Sequence, residues 1–290
     1  MSRRLALVAL AVAAGSAILA AGCQPGAVRP AQVKPRKTPP ADARSAGRHN
    51  GTRADRFWVR AQKEVYKSRE ELAARRARER QQGLHYDLLW EGNRRIPAVA
   101  LTFDDGPHPD FTLKILALLK RYDIKATFFV VGKMAERYPE LIRAEKAAGH
   151  VLGNHTYHHL NLTRIPAVQV ATEWQACQDV VQSATGETMR FCRPPGGDYN
   201  RDVIRAATEG GLTTVMWTDD PGDYASPGDR TIEVRVFDHV SNGGIILLHD
   251  GVQQTLDVLP QVIERLRARG FRFVTVSRMR AELTASKAAG

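Results

Sequence analysis

The chain of 290 residues is poor in cysteine and has fewer acidic than basic side chains. Its three cysteines exclude a fold held by a disulfide network, and Cys177 and Cys192 alone lie beyond the amino-terminal region. These two either form one disulfide or are separately buried thiols, because sequence does not give their separation. With 31 acidic and 42 basic residues, the formal net charge is +11. Such an excess suggests nucleic acid, an anionic membrane or an acidic glycan as partner.

The first 23 residues have the pattern of an export signal. Arg3 and Arg4 precede an alanine-rich apolar stretch that ends in small residues before Cys23. The letters LAAGC resemble a bacterial lipobox, in which this cysteine becomes the lipidated first residue of the mature protein. We therefore expect an exported lipoprotein of the cell envelope, anchored in the membrane at Cys23. A secreted protein and an uncleaved anchor are the alternatives. Export argues against nucleic acid as a partner.

Large apolar residues are almost absent from residues 24–53, which are rich in Pro, Ala, Gly and basic residues. Such a segment cannot bury enough surface to fold, so it is predicted to be a flexible basic tether. Residues 54–89 are predicted to be a charged helical spacer with a thin apolar stripe at Phe57, Val59, Val65 and Leu72. We interpret this helix as solvated, since most charge runs are solvated faces. Adhesion to an anionic envelope surface is the alternative.

From about residue 90 onward, short β-rich runs alternate with longer helical periods. Strands are predicted at 99–103, 126–131, 150–154, 190–193, 213–217, 245–249 and 272–276, and helices at 111–121, 138–148, 166–184, 201–209, 230–240 and 256–268. This alternation predicts an α/β fold with a parallel sheet or barrel, whose functional loops follow the strand carboxyl ends. No internal repeat stands out. We predict one catalytic domain over 90–279, a tail over 280–290 and a monomeric protein.

Polar clusters follow five of these strands, where this architecture puts a site. They are TFDDGP, GNHTYHHL, RPPGGDYN, WTDDPGDY and LLHDG. His155 and His159 are four apart, which would put two imidazoles on one side of a helical turn, and Asp105 can complete an open, catalytic metal site. The cation would neutralise one of two adjacent aspartates and leave Asp104 as an available base. The same ligand types also serve non-haem iron oxygenases, so they do not settle the reaction.

In this order, the motifs resemble the polysaccharide deacetylase family, the NodB-homology domain of carbohydrate esterase family 4. The resemblance covers residues 99–276, and TFDDGP and HTYHH match the first two family motifs in full. It implies a distorted (β/α) barrel, in agreement with the alternation. It also implies a metal-dependent hydrolase that removes N-acetyl groups from a glycan polymer containing N-acetylglucosamine: peptidoglycan, a chitin-like oligomer or poly-N-acetylglucosamine. Zinc is the metal expected first; cobalt, nickel, manganese and iron also suit these ligands.

The resemblance implies a role for each matching residue. Asp104 would be the general base, held by Arg193, and His249 the general acid, oriented by Asp223. The metal ligands would be Asp105, His155 and His159. The substrate pocket would be lined by Leu247, Gly196 and Tyr224.

Two positions depart from the family pattern. Gly196 stands where many members have Tyr, and Tyr224 stands where the family has Trp. Glycine keeps a backbone N–H for the oxyanion but loses an aromatic wall, so both departures bear on substrate preference. An O-acetyl esterase and a non-catalytic glycan-binding lipoprotein are the alternative functions. A non-haem iron oxygenase is disfavoured, because nothing resembles a site for an oxoacid cosubstrate.

Overall fold

The computed structural model of the protein describes Phe57 and residues 66–288. Within that part of the chain, eight strands form one sheet with parallel pairings throughout. They are β1 (Leu88–Leu89), β2 (Ala98–Gly106), β3 (Thr127–Val130), β4 (Val151–Asn154), β5 (Phe191–Cys192), β6 (Thr213–Val215), β7 (Gly244–His249) and β8 (Arg272–Phe273). Their order is β1-β6-β5-β4-β3-β2-β7, and β8 pairs with the start of β2.

The two ends of the sheet meet beyond β6. Asp219 makes an isolated parallel bridge with Ile246 of β7. The backbone N–H of Leu247 donates to the carbonyl of Asp219 over 2.9 Å. The sheet is therefore a distorted (β/α) barrel, and the predicted fold class is confirmed. In such a barrel the strand carboxyl ends lie together at one mouth.

Nine α-helices of the described residues connect and cover the strands. They are α1 (Arg69–Gln81), α2 (Thr112–Arg121), α3 (Gly132–Arg137), α4 (Pro139–Ala147), α5 (Ala167–Thr185), α6 (Arg201–Glu209), α7 (Asp229–His239), α8 (Gln253–Ala268) and α9 (Val276–Ala288). The predicted alternation is confirmed with shifted bounds; β1, α3 and α9 were not predicted. Residues 280–288 continue α9 rather than form a separate tail, because Val276 and Met279 bury this helix against the core.

Side chains of the central strand alternate between two hydrophobic clusters. Val99 and Leu101 of β2 pack in a cluster with apolar residues of α2 and α8. Ala100 packs in the other cluster with Leu247 and Trp217. Every residue of β2 is buried, as expected for a parallel strand covered on both faces. This burial fixes the position of the polar residues at the end of the strand.

The described part of the predicted spacer packs on the domain. α1 begins at a capping box of Ser68 and Glu71, and its Leu72 is only 2% exposed. The guanidinium of Arg75 lies 3.5 Å from the ring centre of Tyr199. Farther along, β1 pairs with β6. The solvated-spacer interpretation therefore does not hold for residues 66–89, because they pack on the rest of the domain through Leu72, Arg75 and β1.

Cys177 and Cys192 are both buried and free, so separate thiols, not a disulfide, are observed. The Cys177 thiol donates to the carbonyl of Val130 over 3.4 Å, and burial raises the pKa of Cys192 to about 12. The export signal, Cys23 and the tether lie outside the described residues. Among the helices of the described part, none is long and apolar enough to span a membrane.

Candidate active site

Two adjacent aspartates reach the same site because β2 loses its regular geometry between them. Side chains of a regular strand alternate faces. The register of β2 against β3 shifts between Asp104 and Gly106. Asp105 has a φ of 70°, in the left-handed region that is uncommon for residues with a Cβ. The irregularity turns the second carboxylate toward the barrel mouth beside the first.

Asp104 is held by a buried arginine. Nη1 of Arg193 donates to Oδ1 of Asp104 over 2.7 Å and to Oγ1 of Thr102 over 2.9 Å. The Arg193 guanidinium carbon lies 4.1 Å from the ring centre of Phe129, and Arg193 and Asp104 are both fully buried. The other carboxylate oxygen, Oδ2, has no hydrogen-bond partner among the described residues and lies 3.7 Å from Nε2 of His155. One oxygen of Asp104 is thus fixed, and the other lies beside His155.

Asp105, His155 and His159 form a buried cluster suited to a metal ion. Oδ1 of Asp105 lies 2.9 Å from Nε2 of His159 and 3.4 Å from Nε2 of His155. Nδ1 of His155 donates to the carbonyl of Arg193 over 2.7 Å. The lone pair of Nε2 can therefore bind a metal ion. Burial opposes the charged form of Asp105, but His159 and His155 outweigh it and hold the pKa of Asp105 well below its usual range. Two imidazoles and a carboxylate fit zinc and related divalent ions.

The two histidines converge through a loop, not the helical turn expected from their spacing. Residues 155–159 are not helical, and φ is 66° at Thr156 and 58° at His159. The loop is held by Oδ1 of Asn154, which accepts from the Thr156 N–H, and by Oγ1 of Thr156, which accepts from the His159 N–H. The imidazole centres lie 4.8 Å apart. The rings therefore meet as expected, but by left-handed backbone rather than by helical periodicity.

His249 at the end of β7 is oriented by Asp223. Nδ1 of His249 lies 2.7 Å from Oδ1 of Asp223, whose Oδ2 accepts from the His249 N–H and from Oγ1 of Thr255. Burial lowers the pKa of His249, but the Asp223 carboxylate outweighs it and raises that pKa to about 9. Nε2 of His249 is buried without a hydrogen-bond partner in the described part of the chain. The arrangement supplies a protonated imidazole with one N–H available to a substrate.

Of the three expected pocket residues, Tyr224 packs against His249, and Leu247 and Gly196 have defined backbone positions. Leu247 is fully buried on β7, where it pairs with Thr102. The Tyr224 ring lies 5.3 Å from the His249 ring, centre to centre. Gly196 has a φ of 63°, a conformation that glycine adopts freely and tyrosine does not. The backbone at this point therefore suits the residue found here.

Tyr66 was not predicted, although it lies at the centre of the site. Its hydroxyl is 3.4 and 3.3 Å from the two carboxylate oxygens of Asp105. Its ring centre is 4.5 Å from that of His249 and 4.7 Å from that of Tyr224, and the side chain is 2% exposed. The next residue donates its N–H to the carbonyl of Gly196 over 3.2 Å. The S-x-x-E signal at Ser68 could have indicated that Tyr66 precedes the helix rather than belonging to its solvated face.

Some acidic residues of the motifs lie apart from the ligand cluster. Asp219 is buried at the barrel closure, and burial raises its pKa well above the usual range. Asp250 follows the candidate acid and accepts a hydrogen bond from Thr112 Oγ1; burial raises its pKa to about 7. Neither carboxylate belongs to the group of three that could hold a metal.

Comparisons with known proteins agree with this geometry. The polysaccharide deacetylase family profile matches residues 91–215. A peptidoglycan-N-acetylglucosamine deacetylase of Bacillus cereus is 37% identical over 197 residues, 66% of this chain and 92% of that protein. A chitooligosaccharide deacetylase of Bradyrhizobium is 36% identical over 189 residues, 60% of this chain and 86% of that protein. A solved CE4 family pseudoenzyme of Bacillus anthracis has a TM-score of 0.66 at 25% identity, covering 69% of this chain and 71% of that one. The chain therefore belongs to the polysaccharide deacetylase family.

Proposed function

We propose that this protein is a metal-dependent hydrolase that removes N-acetyl groups from a glycan containing N-acetylglucosamine. The observation that carries the proposal is the complete set of groups at one barrel mouth. An arginine-held carboxylate, a cluster of three metal-binding residues and a protonated histidine all lie at strand ends there. Metal-assisted amide hydrolysis uses these three functions together: a base for the water, an electrophile for the carbonyl and an acid for the amine.

The residues divide the reaction between the two sides of the acetamide. A divalent ion held by Asp105, His155 and His159 would supply Lewis-acid polarisation of the acetamide carbonyl, and zinc is the ion we expect first. Oδ2 of Asp104 accepts the proton of the attacking water, while Arg193 fixes the carboxylate through its other oxygen.

His249, Asp223 and Gly196 would act on the departing amine and on the oxyanion. His249 gives its Nε2 proton to the departing amine, and Asp223 keeps the imidazole protonated and oriented. The N–H of Gly196 would donate to the oxyanion, a contact that is typically worth about 3 kcal/mol. Leu247 and Tyr224 would border the acetyl methyl group and the sugar.

A non-catalytic role is the weaker alternative. The fold alone does not decide, because a CE4 family pseudoenzyme shares it. In this chain, however, the candidate base, ligands and acid are all present and buried in mutual reach. An O-acetyl esterase could use the same groups, but the strongly held proton on His249 suits an amine, which must be protonated to leave.

Acetate release tests the proposal directly. Zinc-loaded protein should release acetate from peptidoglycan, chitooligosaccharide or poly-N-acetylglucosamine, and metal-stripped protein should release none until a divalent ion is returned. Acetylated xylan is the comparison for ester hydrolysis. Acetate from xylan alone would establish the esterase, and no acetate from any glycan with the metal bound would refute catalysis.

We also propose that the protein is attached to the cell envelope by a lipid at Cys23. The lipobox-like LAAGC and the basic tether after it support this proposal. The relative from Bacillus cereus is named for its action on peptidoglycan, a polymer of the cell envelope. Cys23→Ser should move the protein from the membrane fraction to the soluble fraction with unchanged specific activity. Unchanged fractionation would refute lipid attachment. Light scattering of the soluble variant tests the expected monomer.

A further inference from the structure

A cavity of about 400 Å³ lies between α1, the segment after β1 and the loop after β6. Four arginines and two tryptophans dominate its lining: Arg69, Arg76, Arg80, Arg94, Trp90 and Trp217. Three of the arginines belong to α1 at spacings of seven and four residues, which puts them on one face of the helix. The cavity therefore has a cationic wall built by the segment that precedes the family-matched residues.

The positive charge of this wall is only partly balanced. Glu91 is the single carboxylate of the lining. It pairs with Arg94 at 2.8 Å and lies 3.8 Å from Arg76, so two guanidinium groups share one acidic partner. The Arg76 and Arg94 side chains are 38% and 75% exposed. An anionic group entering the cavity would meet several guanidinium donors with a single competing carboxylate, which favours carboxylate binding.

The cavity also has aromatic faces, and Trp217 and Tyr66 lie between it and the catalytic residues. The guanidinium carbon of Arg76 lies 5.4 Å from the ring centre of Trp90. Trp217 lines the cavity, and its ring centre lies 6.1 Å from that of Tyr66, the residue in contact with Asp105. The Trp217 indole N–H is buried without a partner in the described residues. A glycan chain bound at the barrel mouth could therefore place its next sugar against Trp90 and a charged substituent against the arginines.

We propose that this cavity is a subsite for a carboxylate carried by the glycan beside the N-acetyl sugar under attack. The preferred substrate class is then a carboxylated N-acetylglucosamine polymer rather than a neutral one. This proposal rests on the proposed function, because the position of the subsite is defined relative to the N-acetyl sugar that reacts. The carboxylate can come from a lactyl ether on the sugar or from a peptide attached to it, and the two sources share the same chemistry.

Binding separates the subsite from catalysis. Titrations use full-length, zinc-loaded protein carrying Asp104→Asn, so that the glycan is not consumed. The ligands are peptidoglycan strands with peptides removed, the same strands with carboxyls reduced to alcohols, and strands with peptides intact. The carboxylated strands should bind about tenfold more tightly than the reduced ones, the gain expected for two modest charge contacts. The difference should shrink when salt is raised from about 50 to about 500 mM.

A pair of charge-matched variants identifies the site. Arg76→Gln/Arg80→Gln should abolish the preference for carboxylated strands. Arg121→Gln/Arg267→Gln removes the same net charge near Tyr122, at the end of α2 and α8 far from the barrel mouth, and should retain it. Equal binding of all three ligands by protein that carries Asp104→Asn alone would overturn the subsite, as would equal losses in both double variants. A preference seen only with peptides intact would support the subsite and assign the carboxylate to the peptide.

Kinetics keep failure of the subsite distinct from failure of the function. In otherwise native protein, Arg76→Gln/Arg80→Gln should raise KM for carboxylated strands about tenfold and leave KM for chitooligosaccharide within about twofold. Retained acetate release with no change of KM in either substrate would leave the proposed function intact and overturn the subsite. Carboxylate-selective binding without any acetate release would overturn the function and retain the subsite.

Discussion

The strand ends and the amino-terminal segment both reach the catalytic centre, but they are held differently. At the strand ends, buried ion pairs fix the side chains: Arg193 to Asp104 and Asp223 to His249, each at 2.7 Å. The segment from Tyr66 to α1 reaches the site through ring packing and hydroxyl contacts of 3.3–3.4 Å with Asp105. The contrast suggests that chemistry belongs to the rigid barrel mouth, while access and selectivity belong to a segment outside the family-matched residues.

Among substitutions at the barrel mouth, those in the proposed metal cluster should reduce activity most. His159→Ala removes one of the three proposed ligands, so we expect activity to fall below detection and metal content to fall with it. Asp105→Asn should weaken metal affinity, with activity partly recovered when zinc is in excess. Metal analysis beside acetate release measures both effects. Full metal content and full activity in His159→Ala would remove this residue from the ligand set.

Asp104 should behave differently from its neighbour. Asp104→Asn keeps the shape and the metal ligands but loses the proton acceptor, so kcat should fall about 10²–10⁴-fold with the metal still bound. The acidic limb of the pH–rate profile should also disappear, because an amide cannot accept the water's proton. Calorimetric metal titration provides the control. Loss of the metal in Asp104→Asn, with retention in Asp105→Asn, would exchange the two roles.

The hydrogen-bonded pair of His249 and Asp223 predicts an alkaline limit to activity. His249 must be protonated to act as acid, and Asp223 raises its pKa to about 9, so the rate should decline as the pH passes that value. Asp223→Asn removes the carboxylate and should move this limb about one to two units toward neutral pH. An unmoved limb would assign the alkaline decline to another group.

The same pKa has a consequence for stability. The pKa of His249 is higher in the folded protein than the usual value of 6.5. Its contribution to the free energy of unfolding should therefore be complete below pH 6.5 and be lost as the pH rises toward about 9. Asp223→Asn should flatten this part of the profile in denaturant unfolding, provided that its unfolding remains two-state.

The barrel mouth could be predicted from sequence because its residues follow buried strands. A run such as Val99–Phe103 fixes both the strand and the location of the polar residues after it. The route by which His155 and His159 meet could not be predicted in the same way. The left-handed backbone at Thr156 and His159 depends on hydrogen bonds within the folded loop, and a spacing of four indicated a helical turn instead.

The docking of the amino-terminal segment could not be predicted from sequence, for a different reason. A charged sequence with one buried leucine is typical of a solvated helix. Its docking depends on partners more than a hundred residues away, since Arg75 and Glu79 contact Tyr199 and Lys67 contacts Gly196. No local pattern records such contacts. The family motifs did not predict this docking either, because the segment precedes the matched residues.

Tyr66 provides the finest test of the contrast between the two regions. Its side chain contacts both Asp105 and His249, at the place where the acetamide would have to lie. If substrate must displace this ring, binding is weakened by the fraction of molecules in which the site is closed. Tyr66→Ala should then lower KM several-fold, about the effect of a closed state of 1 kcal/mol, with kcat little changed.

The conservative variant separates closure from a direct role in the reaction. Tyr66→Phe loses the hydroxyl contact with Asp105 but keeps the ring against His249 and Tyr224, so KM should move less than in Tyr66→Ala. Thermal unfolding should show both variants folded, because Leu72 and β1 keep α1 and its neighbours docked. A lower kcat in both variants would mean that the hydroxyl takes part in catalysis. A higher KM in Tyr66→Ala alone would mean that the ring is a wall for the sugar, and the segment would then belong to the catalytic pocket rather than close it.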